Sequence, residues 1–145
     1  MPQKIDPRDF LYRKVNPTQW DAFGAKIEAF VDKYDDLSFR LASIVSPMQV
    51  MDFFASSPAA KKQYGENVTG KDLYDAGFRL AILPAHVITD AGFAFKLEKD
   101  DSEYNPANGH VNIIDGKNAP FTWQKNARIL TEEEMQKGVL QLPDL

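Results

Sequence analysis

Apolar side chains recur along this chain at two spacings, one typical of strands and one typical of helices. Residues 10–15 and 37–42 form short apolar runs that are predicted strands. Between them, apolar residues at steps of three and four predict one amphipathic helix that begins at Asn16-Pro17. The members of this apolar stripe are Trp20, Phe23, Ile27, Phe30, Val31 and Tyr34. The pattern therefore predicts strand, helix and strand over the first 42 residues.

Capping residues predict helices farther along the chain. Ser46-Pro47 predicts a helix that ends by Ser57-Pro58. Thr69, with Asp72 three residues later, predicts another helix, which ends before Gly77. Further helical segments are predicted at 84–91, at 121–130 and at a capping box formed by Thr131 and Glu134. Further strands are predicted at 78–83, 93–97 and 110–114.

These elements predict an α+β fold. About five short strands alternate irregularly with four to six helices, and the regular strand–helix–strand alternation of parallel sheets is missing. We therefore expect a single α+β domain over residues 1–145, with a small mixed or mostly antiparallel sheet that carries helices on one side. A chain of 145 residues with 43% hydrophobic residues is large enough to bury a core.

Composition narrows the cellular setting. The longest apolar runs are far shorter than the roughly 20 residues that a membrane helix needs, and the first nine residues lack the apolar stretch of a signal peptide. The chain contains no cysteine and so cannot form disulfides, which fits a reducing compartment. We expect a cytoplasmic protein without a membrane partner.

The charge balance disfavours nucleic acid as a partner. The formal net charge is −4, and the 17 lysine and arginine residues are dispersed rather than gathered in one stripe. Phosphate contacts need clustered basic side chains, and acidic neighbours cancel their field. An acidic surface instead favours a basic protein partner through electrostatic complementarity.

Several common catalytic signatures fail in this sequence. Residues 65–71 match the beginning of a phosphate-binding loop, but Asp72 replaces the hydroxyl residue that would hold magnesium, and no buried strand precedes the match. The chain has only two histidines, His86 and His110, and neither has the partners that a metal site needs. No metal site is predicted.

Two predicted strands carry the strongest indication of chemistry. The first contains Leu11-Tyr12-Arg13, and the second contains Ser38 and runs directly into the proline-started helix. This order resembles the RES-domain and ADP-ribosyltransferase-like proteins, in which a first-strand arginine meets NAD and a second-strand serine or tyrosine lines the nicotinamide pocket. The resemblance implies that Arg13 contacts NAD beside Tyr12, and that Ser38 is the second-strand residue.

A third candidate comes from strand position. His110 directly follows an Asn-Gly turn and so lies at a sheet end, where active sites often form. The resemblance also implies a carboxylate that stabilises positive charge as the nicotinamide bond breaks, and the sequence shows no clear equivalent. The polar side chains in the helix after the second strand are Gln49 and Asp52.

Two functions of different class follow. The first is a small NAD-handling enzyme, an ADP-ribosyltransferase-like or NAD-degrading bacterial toxin or effector, with Arg13, Ser38 and His110 as catalytic residues. Its substrate NAD would be held by Tyr12 and Arg13. The second is a non-catalytic binding module, such as an immunity, adaptor or operon-partner protein, whose acidic surface meets a protein partner.

Overall fold

The computed structural model of this chain describes residues 6, 8–30, 36–92, 95–97, 110–114 and 120–137. The strands are β1 (Phe10–Val15), β2 (Trp20–Asp21), β3 (Gly24–Ala25), β4 (Asp36–Leu41), β5 (Arg79–Pro84), β6 (Phe95–Leu97), β7 (His110–Ile114) and β8 (Arg128–Ile129). The α-helices are α1 (Pro47–Ala55), α2 (Pro58–Tyr64), α3 (Gly70–Asp75), α4 (His86–Asp90), α5 (Pro120–Asn126) and α6 (Glu132–Lys137), and a 3-10 helix spans Ile27–Phe30.

Six of the strands form one antiparallel sheet in the order β6-β7-β4-β1-β5-β8, and β2 and β3 form a separate hairpin. The predicted α+β class is confirmed. Strand β1 lies near the centre of the sheet and pairs with β4 on one edge and with β5 on the other. Across the described ranges, no helix has the length and apolar character needed to cross a lipid bilayer.

Helices cover both faces of this sheet. Leu11 and Val15 of β1 belong to the first face, which packs against the 3-10 helix, α4 and α5. Phe10 and Tyr12 belong to the second face, which packs against α1, α3 and α6. The expectation of helices on a single side is wrong, because four of the six β1 side chains are buried and a strand that is apolar on both faces needs cover on both.

The prediction of an amphipathic helix from Asn16-Pro17 onward is also wrong, as residues 16–30 of the described chain show. The chain instead forms the β2–β3 hairpin and the 3-10 helix. Gly24 has a φ of +120°, which a right-handed helix cannot contain, and Trp20 Nε1 donates a hydrogen bond to the distant carbonyl of Gly77 at 2.7 Å. As a result the apolar stripe is divided: Phe30 is fully buried, whereas Phe23 is 99% exposed at the hairpin turn. Val31 and Tyr34 lie outside the described residues.

Other predicted boundaries are confirmed by hydrogen bonds. Ser46 caps α1, and Thr69 and Asp72 form a reciprocal capping box at the start of α3. Besides the β2–β3 hairpin and the 3-10 helix, two further elements were not predicted. Ser57-Pro58 ends α1, as expected, but also begins α2, and β8 occupies the end of the segment predicted as a helix at 121–130.

An ion pair joins α6 to β8. Arg128 Nη1 and Nη2 donate to Glu134 Oε1 and Oε2 at 2.6 and 2.9 Å. Glu134 Oε1 also accepts a hydrogen bond from the backbone of Thr131 at 3.1 Å, which completes the predicted capping box. The hydrogen bond from Arg128 is the main reason why the pKa of Glu134 falls to about 2, and the Thr131 backbone adds to it.

Because the folded pKa of Glu134 is depressed, its contribution to stability is present above its unfolded pKa of about 4.3 and is lost as the pH falls toward about 2. We expect Glu134→Gln to lower the free energy of unfolding by about 1–2 kcal/mol near neutral pH, since Arg128 is partly exposed. The deficit should shrink steadily below about pH 4. Urea unfolding at several pH values measures both effects.

Glu133→Gln is the matched control. Glu133 is the exposed neighbour on the same helix and pairs with Lys137 at 3.6 Å. Its replacement should change the free energy of unfolding by less than about 0.5 kcal/mol at any of these pH values. Equal losses in the two variants would contradict a special role for Glu134.

Candidate functional site

Arg13 lies on the first face of the sheet, beneath the 3-10 helix. Its Nε donates a hydrogen bond to the backbone carbonyl of Ala29 at 2.8 Å, and its guanidinium lies 5.8 Å from the ring centroid of Phe39. The side chain is partly buried. In this arrangement Arg13 helps to hold the 3-10 helix against the sheet.

The other three predicted site residues, Tyr12, Ser38 and His110, occupy strand positions that belong to the second face of the sheet. Tyr12 lies opposite Arg40 of β4, and Arg40 lies opposite His110 of β7. Directly opposed residues share a face, and successive residues alternate, so strand position 38 belongs with position 40. The register therefore gathers positions 12, 38 and 110 on the face opposite to that of Arg13.

Tyr12 is almost fully buried and lines a cavity of about 450 Å³ between the start of β1 and the β4–α1 connection. Burial raises the pKa of the Tyr12 hydroxyl to about 12, with smaller contributions from the negative charges of Glu134 and Asp9. Asp9 Oδ2 accepts a hydrogen bond from Ser43 Oγ at 2.6 Å in the same region. Tyr12 consequently keeps its proton at neutral pH.

Arg40 is a buried cation on the second face that the sequence analysis did not single out. Only 3% of it is exposed, and its guanidinium lies 4.0 Å from the ring centroid of Phe53 on α1. It lines a cavity of about 370 Å³ together with Gln49 and Asp52. Asp52 Oδ1 accepts a hydrogen bond from the backbone of Gly70 at 2.8 Å, so this carboxylate fixes the start of α3.

Lys14 is another cation on this face, and it lines an open cleft of about 410 Å³, which we call the Lys14 cleft. Its ammonium lies 4.6 Å from the ring centroid of Phe54 and 5.6 Å from that of Phe78. Among the described residues, no side-chain or backbone oxygen forms a hydrogen bond or ion pair with Lys14 Nζ. Burial lowers the pKa of Lys14, and the neighbouring charge of Arg13 lowers it further.

Five segments line the Lys14 cleft. They are the end of β1 with the residues after it, the end of α1, helix α2, helix α3 and the residue that precedes β5. Tyr64 packs edge-on against Phe78, with ring centroids 6.1 Å apart. No acidic side chain is among the described residues that line the cleft. The lining consists of Lys14, Asn16, Pro17, Thr18, Phe54, Ser57, Ala59, Ala60, Gln63, Tyr64, Leu73 and Phe78.

The alternation of side chains along a strand is the sequence signal that would have indicated Lys14, because every second residue of β1 belongs to the same face. Lys14 shares its parity with Phe10 and Tyr12, which are buried against α1 and its neighbours. A lysine in such a position extends along apolar surface and presents its ammonium where that surface ends. The sequence analysis singled out Arg13 and did not consider what covers each of the two faces of this strand.

Within the described ranges, no three histidine, aspartate or glutamate side chains come together in a group that could hold a metal ion. Comparison with known proteins adds no relative: no family model, no curated protein and no solved structure matches this chain.

Proposed function

We propose that this protein binds a small anionic ligand that carries a flat aromatic ring, and that the ligand occupies the Lys14 cleft. The observation that carries the proposal is the ammonium of Lys14, which faces two aromatic rings in an open cleft whose described lining contains no carboxylate. A ligand anion would supply the missing countercharge.

The energetics of Lys14 favour a binding role. Removing an ammonium from water is costly unless a partner compensates, and the lowered pKa of Lys14 reflects that cost. Contacts with Phe54 and Phe78 offset only part of this desolvation cost, since a cation over an aromatic ring contributes about 0.5–2 kcal/mol. A charge-assisted hydrogen bond from Lys14 to a ligand anion is stronger than a neutral one, and it would offset the remainder.

The size and lining of the cleft match a small ring-bearing molecule. Its volume of about 410 Å³ falls in the range of about 300–1,000 Å³ that is typical of small-molecule sites. Phe54, Tyr64 and Phe78 offer ring surfaces, and a few polar side chains such as Thr18 and Gln63 can fix the orientation of the ligand.

NAD, the ligand expected from the sequence, combines anionic phosphates with flat rings and therefore belongs to this class. The site proposed for it changes, because Lys14 and Arg13 alternate along β1 and belong to opposite faces of the sheet. NAD handling thus stays a prediction, and the experiment below includes it.

Lys14→Met is the variant that tests the proposal. Methionine keeps most of the length and apolar contact of lysine and removes the ammonium, with its charge and its hydrogen-bond donors. We expect AMP, NAD or para-carboxybenzoate to raise the thermal midpoint of the wild type, and calorimetry to show an affinity for the best of them that falls about tenfold to a hundredfold in Lys14→Met. This range corresponds to the loss of a hydrogen bond to a charged group, worth about 1.5–3 kcal/mol.

Lys71→Met is the matched control, since Lys71 is exposed on α3 and pairs with Asp75 at 3.2 Å. It should bind the same ligands with unchanged affinity. Adenosine, which has the ring without the anion, should bind the wild type more weakly than AMP. The proposal is wrong if no ligand of this set binds the wild type, or if Lys14→Met binds as tightly as Lys71→Met.

A further inference from the structure

We propose that Lys14 Nζ forms an imine with an aldehyde or ketone that enters the Lys14 cleft. The inference rests on the site of the proposed function and adds the chemical class of its ligand, a carbonyl compound that also carries an anionic group. It would make Lys14 a nucleophile as well as a binding residue.

The surroundings of Lys14 Nζ suit a nucleophilic amine. A lysine attacks a carbonyl carbon through its neutral form, and carboxylates near an ammonium oppose loss of the proton. No described carboxylate pairs with Lys14, whereas Lys71 and Lys137 form ion pairs with Asp75 and Glu133. Burial and the adjacent Arg13 also favour the neutral amine of Lys14.

The same walls suit the product. The lone pair of Lys14 Nζ forms the new C–N bond while the carbonyl π electrons move to oxygen, and a proton transfer from nitrogen to oxygen gives a carbinolamine. The carbinolamine oxygen then takes up a proton from solvent and leaves as water when the C–O bond breaks, which gives a protonated imine. The neutral amine, the carbonyl compound and one proton thus yield the protonated imine and water, and no oxidant or reductant is needed. The protonated imine keeps the positive charge that Phe54 and Phe78 already face.

The cleft also contains groups that can assist dehydration. Thr18, Ser57 and Tyr64 supply hydroxyl groups to its lining. Hydroxyl groups donate and accept hydrogen bonds, and can therefore stabilise the departing water. The volume of about 410 Å³ lies within the range typical of small-molecule sites, so we expect a benzaldehyde-sized ring to lie beside Phe54 and Phe78 while its carbonyl carbon approaches the amine.

Reductive trapping tests the inference on the full chain. The protein is treated with para-carboxybenzaldehyde and sodium cyanoborohydride, which reduces an imine to a stable secondary amine, and the modified lysines are located by peptide mass spectrometry. We expect Lys14 to be modified at least about tenfold faster than Lys71 or Lys137 of the same molecules, because the cleft holds aldehyde and amine together. In concentrated urea this preference should disappear.

Two further arms separate this inference from the proposed function. Lys14→Arg keeps a cation but has no amine that forms a stable imine, so it should bind para-carboxybenzoate and yield no adduct at position 14. Neutral benzaldehyde tests reactivity without the anion: an equal preference for Lys14 with both aldehydes supports the imine and contradicts recognition of the anionic group. If neither aldehyde prefers Lys14 in the folded protein, the imine inference is wrong, whereas the binding of AMP, NAD and para-carboxybenzoate to the wild type and to Lys14→Met decides the proposed function independently.

Discussion

Replacing Phe30 by alanine is expected to lower the free energy of unfolding by about 4 kcal/mol, because the substitution leaves a large cavity in the first-face core. Phe30 has no exposed surface, and it ends the 3-10 helix that packs on α5. The same core contains Trp123 of α5 and Leu11 of β1, so the ring joins three separate segments. Equilibrium unfolding in urea measures the loss.

Phe23→Ala provides a control with the same chemistry. Phe23 is 99% exposed at the turn of the β2–β3 hairpin, and its removal should change the free energy of unfolding by less than about 0.5 kcal/mol. Phe30→Leu, which preserves more volume, should lose less than Phe30→Ala and remains measurable if the alanine variant does not fold. A loss below about 1 kcal/mol for Phe30→Ala would contradict the position of the 3-10 helix.

The contrast between Phe23 and Phe30 shows why part of this fold could not be predicted from sequence. Both residues fall on one stripe at helical spacing, yet the hairpin exposes one and buries the other. The hairpin is held by a long-range contact, the hydrogen bond from Trp20 to the carbonyl of Gly77. Periodicity is a local signal and does not register a partner 57 residues away.

Helix starts were predictable because their determinants are local. Ser46, Thr69 and Thr131 each accept a hydrogen bond from a backbone amide three residues later, and each pattern is visible in the sequence. The start of α2 at Ser57-Pro58 has the same form. It was missed because the pair was interpreted only as the end of the preceding helix.

The candidate site was only partly predictable for a different reason. The sequence predicted a site on β1, but the choice between Arg13 and Lys14 as its cation depends on what covers each face of the sheet. Arg13 meets the 3-10 helix, and Lys14 meets an open cleft between Phe54 and Phe78. That cleft is assembled from five segments between residues 14 and 78, so no short motif can represent it.

The close contact between α1 and α3 leads us to expect a second large loss of stability, on replacement of Gly70 by alanine. The amide of Gly70 donates to Asp52 Oδ1 at 2.8 Å, and the two helices meet closely there. A Cβ atom at position 70 would lie 2.6 Å from Asp52 Oδ1, 2.8 Å from Asp52 N and 2.9 Å from Met51 Cβ. The backbone atom and the Cβ atom cannot rotate away, so α3 would have to shift from α1.

We therefore expect Gly70→Ala to lower the free energy of unfolding by about 3 kcal/mol, the upper part of the range for overpacking. The sign of the change is diagnostic, because alanine at a helix position free of contacts stabilises relative to glycine by about 1 kcal/mol. Lys71→Ala, at the exposed next position of α3, is the control and should change stability by less than about 0.5 kcal/mol. Urea unfolding of both variants decides the matter: a Gly70→Ala protein as stable as the wild type would show that α1 and α3 do not pack this closely. Since α1 and α3 both contribute to the Lys14 cleft through Phe54 and Leu73, a shift of α3 should also weaken ligand binding there.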